Sequence, residues 1–122
     1  MKTHPKIIDR ILEKVRESQT ICVGGHLRPD GDCIGSQLAL ALALRREGKE
    51  VVCWNEDPLP QKYAFLDPGH VVQKPKDSPE FDLVIALDCA NFERLGSVGP
   101  AAEHRKLLIN IDHHHSNTRY GD

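Results

Sequence analysis

A chain of 122 residues holds one domain with a modest core, and its 39% hydrophobic and 28% charged residues fit a soluble globular protein. Sixteen Lys and Arg against 18 Asp and Glu leave a formal net charge of −2, which argues against a broad basic surface for duplex nucleic acid but leaves room for a local cationic site such as a metal. The opening MKTHPKIIDRILEKVRE lacks the apolar stretch of a secretory signal, and the longest apolar run, residues 38–44, is far too short to cross a bilayer; a cytoplasmic protein without a membrane partner is expected.

Ile7, Ile8, Ile11, Leu12 and Val15 recur at helical spacing among charged residues, so the chain begins with an amphipathic helix that covers a sheet. TICVGGH follows as a buried strand that breaks into a loop at His26. A second helix is expected to begin near Cys33 or Ile34 and to end where Gly48 supplies a left-handed cap after Arg45 and Arg46. KEVVCWNED reads as the next strand, and the proline-punctuated stretch 58–79 as one short helix near QKYAFL with a short strand at HVVQK. FDLVIALDC and KLLINIDHH are continuous apolar runs that end in acids, as strands buried on both faces do. Strands alternating with helices imply an α/β fold of three layers, a mostly parallel sheet flanked by helices, with ligands at the edge where the strands end. Cys22, Cys33, Cys53 and Cys89 are widely spaced without a CxxC pair and read as reduced, mostly buried thiols.

Chemistry-bearing residues gather at those strand ends: HLRPDGD after the first strand, LDCAN after another, IDHHH after the last. Side by side, the strands bring His26, Asp30, Asp32, Asp88, Asp112, His113 and His114 to one edge. Carboxylates so crowded repel one another, and divalent cations convert that repulsion into coordination. Oxygen and imidazole donors without thiolates favour Mn²⁺, with Fe²⁺ and Co²⁺ next, over a structural zinc. Each piece alone has a plainer reading, since PDGD makes a turn and a single loop histidine is usually solvated. The three histidines continue the apolar strand LLINI and are followed by native-looking sequence, which excludes a purification tag.

GHLRPDGDCIGS resembles the first motif of the DHH phosphoesterase superfamily, LDCAN its second and IDHHHSN its third, in the same order and about 60 and 25 residues apart. Pro29-Asp30-Gly31-Asp32, Gly35-Ser36 and Ser116-Asn117 are most similar to the bacterial nanoRNase and 3′-phosphoadenosine 5′-phosphate phosphatase branch. The resemblance implies two divalent ions, Mn²⁺ first with Mg²⁺, Co²⁺ or Fe²⁺ as alternatives, and a water activated between them for in-line attack on a phosphate ester. It places His26 and Asp30 on the first ion, Asp32 and His113 on the second, and Asp88 on both. Asp112 supports the histidines and His114 faces the substrate phosphate, while His115 lies outside the motif. Gly35 and Ser36, taken to open the second helix, either help to bind phosphate or serve packing and capping; Arg28 either contacts substrate or is solvated. Cys33 stands where the family usually has alanine.

Expected substrates are short oligonucleotides or 3′-phosphoadenosine 5′-phosphate, and a homodimer is compatible with the chain. Inorganic pyrophosphatase and cyclic-dinucleotide phosphodiesterase activities are the enzyme alternatives. The resemblance further implies that residues 1–122 are the amino-terminal part of a DHH domain, short of the fourth motif's aspartate and of the DHHA1 domain. A non-catalytic metal- or nucleotide-binding fragment is therefore the alternative of a different class.

Overall fold

Residues along β1 (Thr20–Gly24) alternate between two apolar environments, Ile21 and Val23 facing one way and Cys22 the other, and all three are fully buried. Such a strand needs a covering layer on each face. The computed structural model describes residues 5–122. Before β1 comes α1 (Pro5–Glu17), and after it α2 (Gly31–Arg46), β2 (Glu50–Trp54), a 3-10 helix (Gln61–Leu66), β3 (Val72–Gln73) and β4 (Leu83–Leu87). A second 3-10 helix (Phe92–Leu95), the single-turn α3 (Val98–Ala101) and β5 (Leu108–Ile111) complete the order.

The strands form one parallel sheet ordered β3-β2-β1-β4-β5. From β1 the chain winds outward through β2 and β3, then returns to the other side of β1 for β4 and β5. Right-handed crossovers running in opposite directions deposit their connecting segments on opposite faces. Accordingly Ile11, Val15, Ala41 and Leu44 from α1 and α2 cover the face of Val23, Ile85 and Ile109, while Leu95, Val98 and Ala102 cover that of Cys22, Val84 and Leu108. Only part of the apolar stripe of α1 is used: Ile7, Ile8 and Leu12 remain about half exposed.

The winding reverses between β1 and β4, the position where open α/β sheets leave a crevice for ligands. Register then sets the level of the site. Gly24 pairs with Ala86 and Ala86 with Asn110, so His26, Asp88 and Asp112 each stand two residues beyond one common level. At the opposite edge Asp82 accepts hydrogen bonds from the Gln19 and Thr20 N–H groups (2.9 and 3.2 Å) and pairs with Lys106 (3.1 Å), which ties β4 to β1. Those backbone donors, with Lys106, hold its carboxyl far below the usual range.

Helix α2 departs from expectation at its start. It opens at Gly31, with the Asp30 side chain accepting the Cys33 N–H at 3.0 Å as N-cap. Its end is as read: Gly48 (φ 82) donates to Arg45 O and Lys49 to Leu44 O, the paired bonds of a Schellman turn. The short helices between β4 and β5 had no counterpart among the expected elements.

Gly25 carries the loop out of β1 over a buried polar pair, Gln37 and Asn55. A Cβ there would fall 2.5 Å from Asn55 Oδ1 and 2.6 Å from Cys33 Sγ, and against Gln37 Oε1. Gly25→Ala is expected to cost about 1–3 kcal/mol, the usual range for overpacking. Urea unfolding measures it, and an unchanged midpoint would mean that the layer beneath the loop yields freely.

Candidate functional site

Two donor groups form where β1, β4 and β5 end, and both contain Asp88: His26, Asp30 and Asp88 in one, Asp88, Asp112, His113 and His114 in the other. Within each group one ligand atom per residue lies within 4.8 Å of all the others. Asp88 is buried and its backbone has φ 55, a left-handed conformation uncommon for a non-glycine residue. Its N–H still donates to Ile111 O of β5 (3.0 Å), so the strand ladder ends at the residue that turns.

His26 is oriented by the backbone that follows it. Its Nδ1 lies 2.5 Å from Leu27 O, and because a carbonyl oxygen only accepts, Nδ1 carries the proton and Nε2 offers a lone pair. That Nε2 sits 3.5 Å from Asp88 Oδ2 and 3.8 Å from Asp30 Oδ1, beyond a good hydrogen bond. Three electron-rich atoms thus face one another with no shared hydrogen, an arrangement a cation resolves. The loop is braced from outside: Leu27 N–H donates to Arg94 O (2.7 Å), and the Arg28 N–H, at φ 50, to Asp57 Oδ2 (2.8 Å).

On the other side His113 Nε2–H donates to Asp88 Oδ1 at 2.8 Å, with the imidazole largely exposed. His114 Nδ1 lies 2.6 Å from Asp112 Oδ1, and their backbone and side chains meet again at Asp112 Oδ2 (3.3 Å). The hydrogen bond to Asp112 raises the His114 pKa above the ordinary imidazole value. Burial by itself would push the Asp112 carboxyl up, but hydrogen bonds from Asn117 and His114 outweigh it and leave the group below its usual value. His114 therefore keeps Nε2 free while Nδ1 is held.

Asp32, expected on the second ion, joins neither donor group; it lies in the first turn of α2, past the Asp30 cap. The expectation that Gly35 and Ser36 open α2 is corrected, because the helix starts at Gly31 and both residues fall in its second turn, where backbone N–H groups belong to the helix ladder. Nor does Gly35 permit close packing, since a Cβ there would meet nothing within 4 Å. Arg28 and His115 are exposed loop residues. All four cysteines are free and buried, and burial pushes the Cys33 thiol up to about 12, far from a ligating thiolate.

Sequence reasoning named no role for Asn110, Asn117 or Tyr120. Asn117 Nδ2 donates to Asn110 Oδ1 (2.7 Å) and Asp112 Oδ2 (2.8 Å), so the third motif is held from behind by two asparagines. The polar ending of IDHHHSN was the available signal. Residues after it also dock on β5: Asp122 N–H donates to Leu108 O (2.7 Å) and its carboxylate accepts the Leu108 N–H (2.9 Å).

The model of the DHH family, N-terminal domain, matches residues 20–121. The chain belongs to the DHH family. Among curated relatives, this DHH chain is 40% identical over 102 residues to the "Bifunctional oligoribonuclease and PAP phosphatase NrnA" of Thermus thermophilus, covering 83% of the chain and 30% of that protein. It is 32% identical over 116 residues to the "Probable bifunctional oligoribonuclease and PAP phosphatase NrnA" of Streptococcus mutans, covering 92% of the chain and 35% of that protein. The chain thus spans about a third of the length of these relatives. A crystal structure of an exopolyphosphatase-related protein from Bacteroides fragilis superposes with a TM-score of 0.82 at 24% identity, over 92% of this chain and 36% of that one, and shares its fold. Among the described residues no helix is long and apolar enough to cross a membrane.

The Asp112–His114 pair carries a pH signature. A raised histidine pKa stabilises the fold below the ordinary imidazole value, and this is lost as pH rises through the folded pKa; the lowered Asp112 contributes above the ordinary carboxylate value, and this is lost as pH falls through its folded pKa. NMR titration of the metal-free chain is expected to place His114 above the ordinary imidazole pKa, and Asp112→Asn to lower it. A His114 titration unmoved by Asp112→Asn would show that the hydrogen bond is not its cause.

Proposed function

We propose that this chain carries the metal-binding and proton-donating residues of a phosphoesterase that hydrolyses short oligonucleotides or 3′-phosphoadenosine 5′-phosphate. The observation that carries the reading is the sharing of Asp88 between two donor groups, the placement a bridging carboxylate needs. The names of the two NrnA relatives, oligoribonuclease and PAP phosphatase, supply the substrate class.

The donor set fits hard divalent cations. It offers carboxylates and imidazoles, and the buried cysteines stand apart as protonated thiols, so Mn²⁺ suits it better than a structural zinc, with Mg²⁺, Co²⁺ or Fe²⁺ as substitutes. His26 through Nε2, Asp30 and Asp88 would hold one ion; Asp88, His113 and a redirected Asp32 would hold the other. Two such ions supply Lewis acidity to phosphoryl oxygens and a more acidic attacking water. At the second position His113 Nε2 holds its hydrogen against Asp88 Oδ1, so it would serve as a ligand atom only with that hydrogen on Nδ1 instead.

The remaining chemistry belongs to the chain. Asp112 fixes the His114 ring through Nδ1 and favours its charged form, so His114 Nε2 can hold a proton against a substrate phosphate and pass it to the departing oxygen. Arg28, Gly35 and Ser36 are assigned to substrate: the exposed Arg28 to its phosphates by charge, and the second-turn pair by the open surface above Gly35, where no neighbour lies within 4 Å of a Cβ.

Asp30 both caps α2 and faces His26, and two substitutions separate those jobs. Asp30→Ala is expected to cost about 1 kcal/mol of stability as well as metal affinity, whereas Asp30→Asn keeps the cap and loses only the affinity. Activity is tested by grafting this chain in place of the matching third of the Thermus relative and supplying Mn²⁺ with a dinucleotide, 3′-phosphoadenosine 5′-phosphate or pyrophosphate. Turnover of the nucleotide substrates that Asp88→Ala abolishes is the expected result. Turnover surviving Asp88→Ala contradicts the mechanism, and preference for pyrophosphate contradicts the substrate class.

A further inference from the structure

Asn110 sits within β5, level with Ala86 and Gly24, and is half-buried. The orientation of its amide is forced. Oδ1 accepts from Asn117 Nδ2 at 2.7 Å, and turning the amide over would set that oxygen against Ala86 O and Cys89 O, neither of which can donate. Nδ2 therefore brings two N–H bonds to three acceptors: Ala86 O at 3.3 Å, Cys89 O at 3.2 Å and Tyr120 Oη at 3.0 Å. The Tyr120 hydroxyl gives its own hydrogen to Cys89 O at 2.8 Å.

Ala86 and Cys89 bracket the residue in the left-handed conformation, Asp88. The Asn110 amide thus clasps the turn of β4 from the neighbouring strand, one contact on each side of the strained position. The left-handed conformation is costlier for Asp88 than a negative φ, so loosening the clasp would favour a shift of its backbone and of the carboxylate with it.

We propose that Asn110 is a positioning residue for the metal centre, fixing the carbonyls on both sides of Asp88 so that the Asp88 carboxylate stays between His26 and His113. The inference rests on the metal-centre reading above. A second arm of the same side chain runs through Asn117 to Asp112, whose other oxygen holds His114. One amide therefore joins the residue common to both donor groups and the acid that orients His114.

The test is Mn²⁺ binding to the metal-free chain, followed by loss of the free-ion electron paramagnetic resonance signal, with melting temperature measured in parallel. Wild type is expected to bind, and Asn110→Ala to bind about 10-fold or more weakly, the usual scale for losing an outer partner of a metal ligand. Ile109→Ala empties the opposite-face core in the same strand and serves as the control for plain destabilisation; it melts lower yet keeps the affinity within about twofold. Equal affinity of Asn110→Ala and wild type overturns the inference and leaves the metal reading intact. A wild-type chain that binds no Mn²⁺ overturns the reading and the inference with it. Should Asn110→Ala fail to fold, Tyr120→Phe removes one of the two donors to Cys89 O; weaker binding supports the clasp, and unchanged affinity counts against it.

Discussion

Asp88 occupies a backbone conformation that costs about 1–3 kcal/mol at a non-glycine residue, and the geometry of the site depends on keeping it there. The Asp88 N–H remains in the sheet through Ile111 O, while the carboxylate reaches His26 on the β1 side and His113 on the β5 side. An extended residue at the end of β4 would continue the strand instead. The topology makes the turn useful: with winding reversed between β1 and β4, the loops leaving these neighbours diverge and open a crevice that Asp88 enters from below. Strain in the chain and polarity in the crevice meet at one residue.

The two sides of that residue are prepared differently. His26 is buried, its proton committed to Leu27 O, and its lone pair faces carboxylates. His113 is exposed and gives its proton to Asp88. The buried side is already arranged as a set of donors, whereas on the exposed side the His113 hydrogen would first have to move from Nε2 to Nδ1. Asp30 belongs to the prepared side and also caps α2, so the start of that helix and the position of a proposed ligand are fixed by one side chain.

Much of this was legible in the sequence because parallel strands buried on both faces leave continuous apolar runs. TICVG, LVIAL and LINI each lead into a polar residue within two positions, and adjacency of their ends followed from alternation with helices. The start of α2 was misread by two or three residues because PDGD looks like a turn; in the fold Asp30 is a cap, which moved Gly35 and Ser36 from the helix opening into its second turn. The crossover between β4 and β5 escaped notice because FERL and VGPA are too short for any periodicity to register. The positive φ of Asp88 leaves no trace in a one-dimensional pattern. Asn110 went unremarked within the apolar run LLINI, since its partners lie 21 and 24 residues away along the chain at Cys89 and Ala86.

Placement of cations about Asp88 is the central claim, and anomalous scattering from crystals of this chain grown with Mn²⁺ tests it most directly. The account predicts density within coordinating distance of the Asp88 carboxylate, with His26 and Asp30 around one peak and His113 at the other. Manganese bound elsewhere on the chain, or density at this edge that leaves the Asp88 carboxylate uncoordinated, would contradict it.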